Sequence, residues 1–206
     1  MKLDPVVLRG VHVRLVPMTR EHVPALWQAG RDPELWRWTT SQVHGEDDMR
    51  RYVDAALAAR ADGTALPFVT TEAATGRVAG STRFANLEAA HRRVEIGWTW
   101  IARPWQRTAL NTEAKYLMLR HAFEALGCVR VELKTDALNA RSRAAILRLG
   151  ARAEGVLRKH MTTEGGRVRD TVFFSVLDDE WPRVKARLEQ LLADPPPARS
   201  ASPETR

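Results

Sequence analysis

From Arg93 to Thr135 the chain reads as a strand, a loop, a helix and a second strand in close succession, and this order constrains the fold more than any other stretch. The first strand, Arg93 to Ile101, contains E-I-G-W-T-W-I. The helix, Ala109 to Leu126, sets Leu110, Ala114, Leu117, Met118 and Ala125 on one face at helical spacing. It stops at Gly127, a residue suited to the left-handed backbone of a helix end. The strand Val129 to Thr135 returns at once, so the stretch is a crossover unit that packs a helix on a sheet.

The flanking segments extend that sheet. Val11 to Val16 alternates as a strand, and Thr19 caps a helix running to about Gly30. A linker with Trp36 and Trp38 leads to a second helix, Asp47 to Arg60. Leu66 to Thr71, Arg77 to Phe84 and Arg93 to Ile101 form an antiparallel meander whose first turn is Thr75-Gly76. Beyond the crossover, Asn139 caps a helix to Leu149 that Gly150 stops. Two long strands joined through Glu164-Gly165-Gly166 follow, and a last helix from Asp178 carries Trp181-Pro182 in its first turn. The expectation is a layered α/β fold with a mixed, mostly antiparallel central sheet of about seven strands flanked by helices. Residues 1–193 read as one domain, and residues 194–206, with Pro-Pro-Pro and Ser-Ala-Ser-Pro, as a disordered tail.

Composition narrows the setting. No apolar run is long enough to span a membrane, and Met1-Lys2-Leu3-Asp4-Pro5 lacks the apolar stretch of a signal peptide, so a cytoplasmic protein is expected. The lone Cys128 excludes an internal disulfide and reads as a small buried residue, and no metal-ligand pattern is present. The net charge of +7 is spread over the whole chain, without the basic stripe of a nucleic-acid footprint.

The chemistry is expected where the aromatic strand runs into the helix. The first turn of a helix leaves backbone N–H groups without intrahelical partners at the positive end of the dipole, so the amides of Arg107 to Asn111, behind Gln106, are placed to curl around an anion such as a pyrophosphate.

E-I-G-W-T-W-I before this loop and N-A-R-S-R-A-A-I-L-R-L-G-A after the crossover strand, in this order of elements, resemble the GNAT superfamily of acyl-CoA N-acyltransferases, most closely its RimJ/RimL type. The resemblance spans nearly the whole chain, from the Val11 strand to E-W-P-R-V-K at Glu180 to Lys185. It implies acetyl-CoA or another acyl-CoA as co-substrate and no metal. The acceptor would be a primary amine, either a protein N-terminus, with ribosomal proteins as candidates, or a small amine. It also implies a splayed strand pair that forms the acyl-CoA slot, and a monomer or homodimer. The superfamily loop is usually Gln/Arg-x-x-Gly-x-Gly/Ala, whereas here Gln106, Arg107, Thr108, Ala109, Leu110 and Asn111 put side chains at both glycine positions. Ala109 costs little if the first helical turn has ordinary dihedrals. The implied co-substrate contacts are those loop residues with Trp100, Ile101, Thr112, Asn139 and Ser142. Gly97, inside the strand, marks either a bulge that splays it from the Val129 strand or room for a neighbouring tryptophan.

Acyl transfer to an amine needs a proton acceptor and a proton source for the departing thiolate. Glu95 is the candidate base, on the strand face opposite Val94, Ile96, Trp98 and Trp100, with His91 and Asp136 in reserve. Many superfamily members place a tyrosine four residues before the helix's terminal glycine, where this chain has Ile146. Ser142 resembles the serine that some RimL-type enzymes place beside the sulfur; a serine in a first helical turn also commonly satisfies orphan amides. Trp36 and Trp38, with Glu95, are the candidate acceptor contacts, and the run Glu46-Asp47-Asp48 would draw in a cationic amine. Two other readings are open: an acyl-CoA sensor without catalysis, which fits the altered loop and the missing tyrosine, and a basic nucleic-acid-associated protein, which fits the charge but none of the ordered motifs.

Overall fold

A computed structural model describes residues 1–194. The expected tail therefore lies, apart from Asp194, outside the described residues. Eight strands form one sheet in the order β1-β2-β3-β4-β5-β6-β8-β7. They are β1 (Leu8–Arg9), β2 (Val13–Pro17), β3 (Leu66–Glu72), β4 (Val78–Glu88), β5 (Arg93–Ile101), β6 (Arg130–Asp136), β7 (Arg152–Thr162) and β8 (Val168–Leu177). The strand beyond the seven anticipated is β1, a two-residue rung too short to show an alternation. Only β5 and β6 run parallel, because helix α3 (Ala109–Arg120) crosses over between them, while the other six neighbouring pairs are antiparallel.

Two apolar layers sandwich the sheet. On one face Val94, Ile96, Val131, Leu133, Val172 and Phe174 pack under α3, α4 (Ala140–Leu149) and α5 (Trp181–Ala193). On the other, α1 (Val23–Gly30) and α2 (Glu46–Ala61) build a smaller core from Leu26, Trp36, Met49, Tyr52, Val53 and Trp100. No helix among the described residues is long and apolar enough to cross a membrane.

The helix ends follow the side chains that the sequence supplies. Thr108 caps α3, its Oγ1 accepting from the Leu110 amide and donating to the Trp105 carbonyl. Asn139 Oδ1 accepts from the Ser142 amide at the start of α4, and Gly150 ends it at φ 105°. The segment after α3 widens into a π turn, His121–Ala125, before Gly127 at φ 66° releases the chain into β6. A carboxylate ties this helix to the far end of the sheet: Glu113 accepts from the backbone amides of Val11, His12 and Val13 at 2.6–2.9 Å.

Candidate active site

The backbone of β5 sets the site. It pairs with β6 only at Arg93↔Arg130, Val94↔Val131 and Glu95↔Glu132, and beyond Glu95 the two strands separate. From Gly97 to Ile101 the edge facing β6 therefore has no strand partner, which leaves a slot with free backbone groups along one wall. On its other edge β5 stays bonded to β4 but gains a residue, because Gly97 faces Arg83 while Trp100 faces Ser81. The extra residue is Trp98, held at φ 48°, so the bulge sits one position after the glycine expected to mark it.

This bulge corrects the face assignment of the strand. An inserted residue reverses the alternation that follows, so Trp98 and Trp100 pack with α2 on the face that also carries Glu95, opposite Val94 and Ile96. Gly97 answers a different need from the two weighed in the sequence. A Cβ there would lie 2.6 Å from Glu95 Oε1, so the missing side chain makes room for the carboxylate.

Glu95 is 2% exposed and held from one side. Its Oε2 accepts from Asn86 Nδ2 at 2.7 Å and pairs with Lys134 Nζ at 2.9 Å. Oε1 has no hydrogen-bond partner among the described residues and lies over Gly97, at the point where the slot opens. The two reserves stand elsewhere. His91 is exposed in a 3-10 turn before β5, at the end of the strand away from the slot. Asp136 is fully buried and committed, accepting from the Leu138 amide at 2.9 Å and pairing with Arg167.

The loop behind Gln106 has a shape of its own. Gln106 bridges the strand end to α4, donating to the Ile101 carbonyl at 2.8 Å and accepting from Arg141 at 3.1 Å. The left-handed residue is Arg107, at φ 62°, whereas Ala109, Leu110, Asn111 and Thr112 are already helical. The two filled glycine positions, Ala109 and Asn111, thus carry ordinary helical dihedrals, which any residue adopts. Buried Asn111 Oδ1 and Arg148 Nη1 have no protein partner, and the other Arg148 nitrogen, Nη2, reaches Thr112 Oγ1 at 3.3 Å. The first-turn amides, Arg141 on Gln106 and Arg148 on Thr112 thus bring donors to this end of the slot, the chemistry a pyrophosphate requires. Asn139 Oδ1 makes the cap and its Nδ2 has no hydrogen bond among the described residues, nor has the Ser142 hydroxyl. Ile146 is buried in the core under α4.

Trp36 and Trp38 divide. Trp36 is a core residue, donating to the Gly30 carbonyl and packed against Tyr52 and Trp100. Trp38 is half-buried between the guanidinium groups of Arg37 and Arg167. In the acidic run, Asp48 accepts from the His44 amide and pairs with Arg51, while Glu46 and Asp47 are exposed at 3.7 and 3.9 Å from Arg50.

Three buried cations, Lys115, Arg83 and Arg169, escaped the sequence reading. Lys115, in α3, is 5% exposed and donates only to hydroxyls, to Thr99 Oγ1 at 2.6 Å and Thr82 Oγ1 at 3.1 Å, directly behind the bulge. Burial without a carboxylate pulls its pKa down from 10.5 to about 7. Arg83, in β4, is 6% exposed, with its guanidinium 4.8 Å from the Trp98 ring centre and 5.1 Å from that of Tyr52. The one available signal for Lys115 was its place four residues after Asn111 and three before Met118, along the buried stripe of α3.

A model of the acetyltransferase (GNAT) domain matches residues 12–152, more than half of the chain. The Bacillus subtilis protein named "Putative ribosomal N-acetyltransferase YdaF" is 33% identical over 106 residues, and the match spans 52% of this chain and 57% of that protein. The chain thus aligns with little more than half the length of that relative. A GCN5-related N-acetyltransferase from Brucella melitensis superposes with a TM-score of 0.87 at 31% identity, covering 94% of this chain and 88% of its own. Mycobacterium smegmatis RimJ, solved in complex with CoA-disulfide, superposes with a TM-score of 0.74 at 26% identity, covering 91% and 92%. With the fold, the splayed pair and the family match in agreement, the chain belongs to the GNAT acetyltransferase family.

Proposed function

We propose that the chain transfers an acetyl group from acetyl-CoA to a primary amine by direct attack within a ternary complex. The observation that carries this reading is the buried Glu95 carboxylate, with one oxygen anchored and the other free where β5 leaves β6. The co-substrate supplies a thioester whose carbonyl carbon an uncharged amine attacks, releasing the thiol. Glu95 Oε1 takes the proton of the incoming ammonium, and Lys134 and Asn86 keep the carboxylate from rotating by holding Oε2. The first turn of α3, with Arg107 and Arg141, holds the pyrophosphate, and the unpaired β5 edge from Gly97 to Ile101 binds the pantetheine amides. The Ser142 hydroxyl, free of other hydrogen bonds, stabilises the departing sulfur in place of the tyrosine that Ile146 replaces.

The acceptor class follows the Bacillus subtilis relative, whose name points to the ribosome. A peptide α-amine is therefore the first acceptor to test, and a cytoplasmic setting suits it. Acetyl-CoA should raise the melting temperature by mass action, since it binds the folded chain. Ala109→Glu, which sets a carboxylate against the phosphates, should remove that rise, and an undiminished rise would place the pyrophosphate elsewhere. Release of free thiol over a panel of peptides and small amines then tests catalysis: a chain that binds acetyl-CoA and releases no thiol with any amine is a sensor.

A further inference from the structure

The acceptor face of the sheet carries a surplus of positive charge that no protein carboxylate answers. Beside the slot, Glu95 pairs with Lys134, and Asp136 pairs with Arg167. Two further buried arginines lie on the same face, one at ion-pair distance from the already paired Asp136 and the other without a carboxylate. Arg169 is 6% exposed, its Nε makes no hydrogen bond, and its nearest carboxylate oxygen, on Asp136, is 3.9 Å away. Arg83 has neither a hydrogen bond nor an ion pair among the described residues, and only the faces of Tyr52 and Trp98 cover it. Removing a guanidinium from water without an acid partner costs several kcal/mol, of which stacking on aromatic rings returns only a part.

A small cavity lies against Tyr52 and Trp98, the two rings on which Arg83 stacks, and Arg83 is not part of its lining. Its lining includes both of the stacking rings, together with Trp36, Trp100 and the loop Thr39–Ser41. Trp100 adds a second unanswered donor, a buried Nε1–H without an acceptor. The cavity holds about 20 Å³, room for about one water. Arg83, buried without an acid partner among the described residues, is the group that a negatively charged oxygen would answer. Arg83 also stands directly across from Gly97 in the β4–β5 pairing, and Gly97 is the residue over which the free oxygen of Glu95 lies. The proton acceptor and the unpaired cation are thus cross-strand neighbours.

We infer that the amine acceptor carries a carboxylate close to the reacting nitrogen and that Arg83 receives it, in a substrate that is either a free amino acid or a peptide with an acidic residue beside its N-terminus. This rests on the N-acetyltransferase reading of the same site. Glu95 receives the ammonium end of the acceptor and Arg83 the carboxylate end.

The test compares matched acceptors by thiol release from acetyl-CoA. Free amino acids are set against their amides, and Ala-Asp against Ala-Asn peptides with blocked C-termini, so that the two arms separate the two substrate sources. In the parent chain the carboxylated member of at least one pair should react with a kcat/KM about tenfold to a hundredfold higher, the worth of one charge-assisted bond. Arg83→Gln should collapse that ratio toward one, and Arg83→Lys should restore part of it. Independently of catalysis, glutarate should stabilise the parent chain against heat more than glutaramide does, and Arg83→Gln should abolish the difference. Equal kcat/KM for both members of every pair, with thiol released, would overturn the inference and leave the acetyltransferase reading standing. Stabilisation by glutarate without thiol release from any amine would support the anion seat and overturn the catalytic reading. If Arg83→Gln does not fold, the matched pairs in the parent chain still decide.

Discussion

Glu95 and Glu113 are both buried carboxylates, and they do opposite work. Three backbone amides of the Val11–Val13 segment saturate Glu113, so neither of its oxygens faces a space that a substrate enters. Glu95 is anchored through a single oxygen, by Asn86 and Lys134, and turns the other toward the opening between β5 and β6. The first arrangement is a structural clamp between α3 and the start of the sheet. The second is that of a group kept ready to exchange a proton. Burial alone does not separate an acid that stabilises a fold from one that reacts; the count of unfilled acceptor sites does.

Removing the clamp is expected to give the largest effect. Glu113→Ala leaves three amides without their charged acceptor, and a loss of about 3 to 5 kcal/mol in unfolding free energy is expected. Denaturant titration measures it. A loss below about 1 kcal/mol would mean that water replaces the carboxylate, and the contrast between the two acids would weaken.

The buried lysine of α3 sharpens the contrast, since it is a charge with no acid at all. In the folded chain Lys115 sheds its proton near pH 7, whereas the unfolded chain keeps it up to the ordinary lysine value of 10.5. Between those values the unfolded state holds more protons, so the stability of the parent rises with pH by up to about 1.4 kcal/mol per unit. Below about pH 7 both states are protonated and the burial penalty is felt in full. Lys115→Met removes that slope, and Thr82 and Thr99 still bond one another at 2.7 Å. The variant should therefore gain on the parent as pH falls from about 10 to about 7, read by thermal melts across that range. Parallel curves for the two proteins would show that Lys115 stays charged.

A smaller effect is expected at Ser142. Its amide, not its hydroxyl, meets the Asn139 cap, so Ser142→Ala should leave the melting temperature in place. Turnover should fall by about tenfold if the hydroxyl steadies the leaving sulfur. A variant that melts early and turns over normally would return Ser142 to a purely structural part.

Local signals made most of the fold legible. The Asn139 cap and the Gly150 stop bound α4, the Glu164-Gly165-Gly166 turn joins β7 to β8, and the crossover through α3 makes the parallel pair. Elements of the site that depend on residues far apart in the chain were hidden. W-T-W continues an unbroken alternation on paper, and the bulge at Trp98 exists only in the pairing of β5 with β4. Glu113 and its amides are about a hundred positions apart, so nothing near it announces a clamp. A lysine on an amphipathic helix reads as solvated by default, and only the packing of α3 over Thr82 and Thr99 reveals Lys115 as buried.

The most direct measurement is the pH dependence of kcat/KM for acetyl transfer in the parent and in Glu95→Gln, with melting temperatures taken on the same samples. Glutamine is isosteric and still offers Asn86 and Lys134 an oxygen, so the chain should fold, with a loss of stability from the broken ion pair that the melting temperatures record. The predicted result is a fall of about a hundredfold or more in kcat/KM, with the rise of rate on the acid side of the parent's profile flattened in the variant. A variant that matches the parent's rate at every pH while melting at the same temperature would contradict the account, and Glu95 would join Glu113 as a carboxylate that only holds the structure together.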